Sequence, residues 1–293
     1  MLGLSFVVIA EGIPMSKLEL AFHGTFILKK DEIKAILFAA TQDKGLDVSL
    51  QELMSRTGLG NQKVKRIRSW AIRCGLISNN QLTHEGSLVI QKDPHLASDV
   101  TDWIMHFHLC FGNKGLQQKP KTSSDWGGWT YFVFDYLPRI SHFSEDELVR
   151  HLETIFTEDT KKSITTNIKK VLTAYTDVSA LAGIQFLEKT GKEHYKAGLV
   201  KPPNLETQAY MLAKLWQRDY GDQTTVITHD LISDPMGLPG ILGLTEGESK
   251  QEVQGILDKL EVQGILEQNR AVPPAQVVRR WQDPLEWLEK AYG

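Results

Sequence analysis

The sequence predicts a mainly α-helical protein with an amino-terminal winged helix-turn-helix, a helical middle domain and a carboxy-terminal winged-helix-like unit. Apolar residues recur at the i, i+3, i+4, i+7 spacing of half-buried helices along most of the chain. Near the amino terminus, two helices, a glycine turn, a third helix and a hairpin follow one another, which is the order of a winged helix-turn-helix. Two stretches, "RSWAIRCGLISNNQLT" and "LDKLEVQGILEQNRAV", share the order helix, glycine, apolar strand and polar turn, so a second such unit is predicted late in the chain.

The composition is that of an ordinary globular protein. The chain has 293 residues, 41% hydrophobic and 24% charged, with a formal charge of −3, which excludes fibrous and broadly disordered classes. Its two cysteines, Cys74 and Cys110, provide neither a disulfide framework nor a cysteine-based zinc site, as expected in a reducing cytoplasm. No apolar run reaches the length of a membrane span, so we expect a cytoplasmic protein without a membrane partner.

The chain divides into four segments by composition and helix-stop signals. The first begins with the apolar run "LGLSFVVIA", which lacks a basic flank and is too short for a transmembrane helix. We interpret it as a loose tail or an upstream-start extension, and both Met1 and Met15 remain candidate starts. The segments are a tail (1–15), a winged helix-turn-helix domain (16–100), a helical domain (101–200) and a carboxy-terminal helical or winged-helix-like domain (201–293).

The elements of the first unit follow from local signals. Asp31 and Glu32 favour the start of a first helix, and Ser49 with Glu52 forms a capping box for a second. The glycines of "TGLG" end that helix. A third helix is predicted over residues 61–74, and "GLISNNQLTHEG" reads as two short extended segments around an asparagine turn.

The later elements are predicted in the same way. "VTDWIMHFHLCF" is an apolar helix, and the aromatic run "WTYFVFDYL" is interpreted as core rather than as a base-stacking surface. Ser144 and Glu147 form a capping box ahead of another helix, which precedes the amphipathic "KKSITTNIKKVLTAY". In the last unit we expect Ser249 and Glu252 to cap a helix that ends at Gly264, with "ILEQNRAV" as its wing.

The predicted third helix is basic although the chain as a whole is mildly acidic. No Asp or Glu occurs at residues 53–84, where six Lys or Arg residues lie. At 100° per residue, one side of the helix is apolar and the opposite side is polar. Single-sign helices neutralise phosphates, so this one is predicted to bind double-stranded DNA, with a solvated face or an acidic protein partner as the alternatives. The predicted groove-facing residues are Gln62, Lys65, Ser69 and Arg73, and the predicted phosphate contacts are Arg66 and Arg68.

Several motifs together resemble a known bacterial family. They are "FHGTFILKKDEI", "TGLGNQKVKRIRSWAIRCGLI", "DPHLASDVTDWIMHFHL", "FSEDELVRHLETIF" and "GLPGILGLTEGE". The chain resembles a domain-of-unknown-function family associated with DNA phosphorothioation and phage-defence operons, which includes the SspB-type DNA-nicking component. Gly24 departs from the family pattern, because many members carry an acidic residue or glutamine there. The resemblance implies a DNA-binding component whose partners are the cysteine desulfurase, the ATPase and the sulfur-transfer proteins of the same operon.

Residues for chemistry are less well defined than the basic helix. His23, between two aromatic residues, is a candidate for phosphate orientation or general-base catalysis, and a packed histidine is the alternative. His106 and His108 form a His-Phe-His pair, but in a helix the two rings diverge by about 200°, which disfavours a shared metal. The sequence therefore assigns no catalytic residue, no metal ligand and no cofactor, although nicking would require a divalent metal.

Three functional hypotheses remain open. They are a DNA nickase, a non-catalytic DNA-binding adaptor or transcriptional regulator, and a protein–protein interaction module. Secondary candidates for phosphate contact lie on the outer face of the later amphipathic helix: Lys161, Lys162, Lys169 and Lys170.

Overall fold

The structure, a computed structural model, describes residues 16–112 and 115–293. It is mainly helical, with small antiparallel sheets, which confirms the predicted class. The tail predicted for residues 1–15, and with it the choice between Met1 and Met15, lies outside the described residues. The domain boundaries at residues 100 and 200 stay predictions.

The first part of the chain has the predicted order of helices and hairpin. After a 3₁₀ turn at Ala21–His23 come α1 (Lys30–Ala40), α2 (Leu50–Thr57), α3 (Asn61–Arg73), β1 (Ile77–Ser78), β2 (Gln81–Leu82) and α4 (His84–Lys92). The Ser49 hydroxyl accepts the Glu52 N–H at the start of α2, and Gly58 ends the helix in the left-handed conformation. The strands β1 and β2 pair as an antiparallel hairpin. The elements are those expected, while their assignment as a winged helix stays an interpretation.

The middle of the chain combines helices with a sheet that the sequence did not predict. Its elements are α5 (Asp99–Leu109), a 3₁₀ turn (Ser123–Trp126), α6 (Gly128–Tyr131), a π-helical turn (Phe132–Tyr136), α7 (Leu137–Arg139), β3 (His142–Ser144), α8 (Glu145–Ile155), α9 (Lys161–Thr176), a 3₁₀ turn (Ala182–Ile184), β4 (Leu187–Lys189) and β5 (His194–Ala197). The strands form an antiparallel sheet in the order β3-β5-β4. The aromatic run is buried, as predicted.

The last part repeats the combination of helices and a small sheet. Its elements are α10 (Leu205–Tyr220), β6 (Thr225–Ile227), α11 (Thr228–Ser233), α12 (Leu238–Ile241), α13 (Glu246–Val262), β7 (Leu266–Asn269), β8 (Gln276–Arg279) and α14 (Leu285–Ala291). The strands form an antiparallel sheet in the order β6-β8-β7.

The cap predicted for α13 is wrong by one turn. Thr245 and Glu248 form the capping box, and Ser249 lies inside the first turn, where its hydroxyl donates to the Glu246 carbonyl. Both candidate pairs have the same residue types at the same spacing, so the local pattern does not distinguish them.

The buried apolar residues form one continuous cluster from Leu18 to Ala291. The last helix, α14, packs against α10 and α4, and the adjoining Tyr292 hydroxyl shares a hydrogen bond with Thr101 of α5. Across residues 16–112 and 115–293, none of the helices is long and apolar enough to cross a membrane.

An irregular segment, residues 16–29, joins α3 to α9. Its Phe22 and Phe26 carbonyls accept hydrogen bonds from the Arg66 and Trp70 side chains of α3. At the other side, the Leu18 N–H donates to Asp159, just before α9. The two helices are therefore held on either side of this bridging segment.

Candidate nucleic-acid interface

Helix α3 has the buried stripe that its periodicity predicts. Val64, Ile67, Trp70 and Ala71 are each no more than 1% exposed, and they turn the helix so that its polar residues face outwards. Gly60 precedes the helix in an extended conformation, and Cys74 is buried at its end. Cys74 therefore packs as a small apolar residue.

The outward side of α3 contains three of the predicted groove-facing residues, Gln62, Lys65 and Ser69. Gln62 and Lys65 are exposed, and Ser69 is half-buried with its hydroxyl donating to the Lys65 carbonyl at 3.0 Å. Arg68 is half-buried and donates to the side-chain carbonyl of Asn80 in the β1–β2 turn. The helix and its hairpin thus present one polar surface.

Arg73 is an exception, and the prediction that it faces solvent is wrong. Its side chain is buried, donates to the Glu19 carbonyl at 3.0 Å and lies 4.6 Å over the Phe22 ring. Burial lowers the pKa of Arg73 to about 10, and the charge of Glu19 opposes that shift. The cause is the bridging segment, which covers the last turn of α3 and leaves the apolar Ile72 exposed instead.

The basic residues of α3 differ in whether a carboxylate neutralises them. Lys63 forms an ion pair with Glu32 of α1 at 2.6 Å. Within the described ranges, Lys65, Arg66 and Arg68 form no ion pair with a carboxylate. These three side chains are therefore the charge that α3 offers to an external anion.

The lysines of α9 also divide into paired and unpaired members. Lys161 pairs with Glu153 at 3.5 Å, and Lys169 pairs with Glu145 at 2.8 Å. Lys162 is exposed and Lys170 is half-buried, and neither forms an ion pair in the part of the chain that the structure describes. Lys162 and Lys170 are eight residues apart and lie on one side of the helix.

His23 lies in the bridging segment, where it is fully buried. Its ring stacks on Trp70 with centroids 5.5 Å apart, and Nδ1 donates to the Gly24 carbonyl at 2.9 Å, which leaves Nε2 without a partner in the described chain. Burial lowers the pKa of His23 to about 4, against the opposing effect of the Gly24 hydrogen bond. Three positive charges lower it further: those of Lys170, Arg66 and Arg73. The imidazole is neutral at pH 7, and its position is that of a packing residue.

His106 is buried inside the core. Its Nε2 donates to the Ile241 carbonyl at 2.9 Å, so its Nδ1 accepts from the Tyr175 hydroxyl at 2.8 Å. The Tyr175 hydroxyl in turn accepts from Trp129. Burial lowers the pKa of His106 to about 4.

His108 points to a different set of partners. Its Nε2 donates to the Tyr210 hydroxyl at 3.2 Å, and that hydroxyl donates to Glu85 at 3.0 Å. Burial lowers the pKa of His108 to about 4, while the charge of Glu85 opposes the shift. The rings of His106 and His108 diverge, as a helix requires, and each serves a separate buried hydrogen-bond chain.

The described residues bring together no group of three or more His, Cys, Asp or Glu side chains able to hold a metal ion. Sequence reasoning missed that the charges of Arg66 on α3 and Lys170 on α9 both act on the buried imidazole of His23, because no local signal relates residues about a hundred positions apart. Lysine and arginine side chains of this kind are the ones that contact phosphates in other proteins.

Comparisons with known proteins agree on one family and one fold. The family model described as "Protein of unknown function (DUF4007)" matches residues 20–292. Two solved structures, an SspB crystal structure and a magnesium ion-bound SspB crystal structure, are each 16% identical to the chain, with a TM-score of 0.67. Each alignment covers 92% of this chain and 86% of the SspB chain. None of the curated proteins matches the sequence.

Proposed function

The chain belongs to the family described as "Protein of unknown function (DUF4007)", and from that premise we propose that it is the DNA-binding component of a bacterial DNA phosphorothioation or related phage-defence system. The fold shared with SspB supports this assignment. Its working partners in the proposal are duplex DNA and the cysteine desulfurase, ATPase and sulfur-transfer proteins of the same operon. The proposed location is the cytoplasm.

The exposed side of α3 carries the proposal. Lys65, Arg66 and Arg68 lie on one helix whose surroundings in sequence contain no carboxylate between residues 53 and 84. Three neighbouring cations that form no ion pair with any described carboxylate can gain from an external polyanion, since each phosphate contact releases condensed counterions.

The shape of the surface favours duplex DNA. An α-helix fits the major groove, which is about 12 Å wide, and the exposed Gln62 and Lys65 lie in the first turns of α3. The hydrogen bond between Arg68 and Asn80 places the β1–β2 turn beside α3. From there the turn can reach the sugar-phosphate backbone of a duplex whose major groove holds α3. Gln62 and Lys65 are proposed to reach base edges, and Arg66 and Arg68 to contact phosphates.

Two forms of the function remain, a nickase and a non-catalytic adaptor. The magnesium ion is a property of the SspB crystal structure. In this chain no described cluster offers a set of metal ligands, so the proposal assigns DNA binding to named residues and assigns nicking to none. Relaxation of supercoiled plasmid with Mg²⁺ or Mn²⁺ distinguishes the two forms.

The binding proposal is tested with the double variant Gln62→Glu/Lys65→Glu. We expect DNA affinity to fall by roughly 100-fold at low salt, because a groove-facing cation and a neutral amide are replaced by two carboxylates that the DNA repels. Acidic residues near a helix amino terminus favour the helix, so the loss cannot be attributed to unfolding of α3. The measurement is fluorescence anisotropy with a duplex oligonucleotide across a range of salt concentrations.

The matched control is Lys250→Glu/Gln251→Glu on α13. Both residues are exposed on a helix surface, and the change in net charge is the same. We expect this control to bind DNA nearly as well as the wild-type protein. Equal losses in the two double variants would mean that net charge rather than α3 governs binding, and the proposal would be withdrawn.

A further inference from the structure

We infer that the cleft between α13 and residues 198–202 binds an extended peptide segment of a partner protein, in which a basic and an acidic residue flank an apolar one. Such binding goes beyond the proposed DNA function and does not depend on it. The cleft encloses a cavity of about 420 Å³. A volume of that size is typical of ligand sites in proteins.

One side of α13 lines the cleft. Its lining residues recur every three or four positions, which is the spacing of a single helix side: Glu248, Glu252, Gly255, Ile256 and Lys259. The middle of this side is open at Gly255, where an added Cβ would meet no atom within 4 Å. Alanine stabilises a helix interior more than glycine does, so the stability of α13 does not explain this glycine.

The opposite wall is a non-helical segment that follows β5. Its ends are fixed, since the N–H groups of Gly198 and Lys201 donate to carbonyls of residues 184–186, each at 3.1 Å. Between them, the N–H groups of Leu199 and Val200 have no hydrogen-bond partner in the described chain. Extended peptides pair with main-chain groups of this kind, as an added strand does at a sheet edge.

The cleft also has apolar surface that the fold leaves uncovered. Leu199 lines it while remaining 89% exposed, and Val200 and Leu244 are half-buried in its wall. Gln208 of α10 contributes to the same wall: its Nε2 donates to the Pro203 carbonyl at 2.7 Å, and its buried Oε1 has no partner among the described residues. Apolar surface together with an unpaired acceptor favours a peptide, which has both apolar side chains and N–H groups, over a purely apolar ligand.

The charges of the cleft define the peptide further. Glu252 and Lys259 are exposed and form no ion pair within residues 16–112 and 115–293, whereas Glu248 is occupied in capping α13 through Thr245. Seven positions of helix separate Glu252 from Lys259, a rise of roughly 10 Å, which about three residues of an extended chain span. The complementary peptide therefore has Lys or Arg at one position, Asp or Glu three positions away, and an apolar side chain between them.

The test begins with an array of immobilised heptapeptides and the labelled full-length chain. Each peptide has Lys and Asp three positions apart, in either order, with Leu, Val or Phe at the two positions between them, and a second set has Ser at both of these positions. We expect the protein to bind the apolar set, in one of the two orders, and not the serine set. The best peptide is then labelled with fluorescein and titrated by fluorescence anisotropy.

Two glycines of α13 provide a matched pair of variants. Gly255→Leu fills the cleft, and Gly247→Leu places the same side chain on an exposed part of the same helix outside the cleft, where a Cβ also meets no atom within 4 Å. Leucine favours a helix more than glycine does, so both variants should fold. We expect Gly255→Leu to weaken peptide binding by at least about tenfold and Gly247→Leu to leave it unchanged. Both variants should bind DNA as the wild-type protein does.

Charge reversal tests the assigned contact. Glu252→Lys should weaken binding of the labelled peptide about tenfold, and a peptide in which Glu replaces the Lys should recover it. Equal affinities in the two glycine variants would overturn the cleft site, and so would an array on which the wild-type protein binds no apolar peptide. Self-association that Gly255→Leu abolishes would identify a second copy of the chain as the occupant and overturn the partner-protein assignment. In each of these cases, DNA binding that remains sensitive to Gln62→Glu/Lys65→Glu leaves the α3 proposal intact.

Discussion

The two helix–hairpin units of the chain, α3 with β1–β2 and α13 with β7–β8, have the same order of elements. They differ in whether carboxylates of the unit pair with its arginines. Helix α3 passes through Gly75 into β1, and α13 passes through Gly264 into β7, and both glycines have a positive φ. In α13, Asp258 accepts hydrogen bonds from Gln268 and Arg270 of its own hairpin. On α3, Lys65, Arg66 and Arg68 form no such pair with a carboxylate of the described residues.

This difference shows that the local fold does not determine what a surface binds. In the α13 unit two arginines of the hairpin pair with carboxylates of the same unit: Arg270 with Asp258 and Arg280 with Glu267. In the α3 unit, Arg68 bonds instead to the uncharged side-chain carbonyl of Asn80, which leaves the arginine charge available. Function is therefore proposed from unpaired charge and not from the shared order of elements.

The largest expected effect distinguishes the units by pH. His23 stacks on Trp70 of α3, and Gly75, which follows that helix, lies against the His108 ring. Near α13 the corresponding histidine is His229 of α11, which packs against α13, and it is exposed. A histidine whose folded pKa is about 4 takes up a proton first in the unfolded chain, so its stabilising contribution is complete above pH 6.5 and is lost as the pH falls towards 4. Each such histidine should cost about 2 kcal/mol of unfolding free energy between pH 7 and pH 5.

Two further groups enter that pH dependence. His106, with the same lowered pKa of about 4, adds a loss of the same sign. Burial raises the pKa of Asp102 to about 6, against its hydrogen bond with Lys30. The ionised carboxylate therefore destabilises the folded protein at pH 7. Its protonation between pH 7 and pH 5 adds about 1 kcal/mol to the unfolding free energy and offsets part of the loss from the histidines. Urea unfolding at pH 7 and pH 5 measures the sum. His108→Gln should reduce the pH dependence and His229→Gln should not; an equal pH dependence in the two variants would contradict this account.

The elements that the sequence predicted correctly are those set by local pattern. The buried stripe of α3 follows from residues three and four apart, which lie on one helix side wherever the helix is placed. Arg73 was placed wrongly because residues 16–29, more than forty positions earlier, cover it. The strands β4 and β5 were missed because they are three or four residues long and mostly polar.

The second prediction compares the two closing glycines. Alanine at Gly264 meets no atom within 4 Å, so only the left-handed backbone strain of about 1 kcal/mol is expected. Alanine at Gly75 has the same strain, and its Cβ would lie 2.3 Å from the His108 ring, so the total loss should be about 3 kcal/mol. Urea unfolding of Gly75→Ala and Gly264→Ala gives both values. Similar losses would mean that the His108 ring moves away freely and that the two turns are equivalent.

The third prediction concerns Arg68 and Arg270, whose replacement should affect stability least but should distinguish the two units by DNA affinity. Arg68 of α3 bonds to Asn80 of its hairpin, and Arg270, on the hairpin side, bonds to Asp258 of α13, so each arginine joins a helix to its turn. Because both contacts are partly exposed, Arg68→Gln and Arg270→Gln should each lower the unfolding free energy by only about 0.5 kcal/mol. Their DNA affinities should nevertheless differ: about fivefold weaker for Arg68→Gln, through a lost phosphate contact, and unchanged for Arg270→Gln. If the two variants have the same stability but only Arg68→Gln loses DNA affinity, the α3 surface binds DNA and the α13 surface does not. Equal DNA affinity in the two variants would place the DNA away from the β1–β2 side of α3.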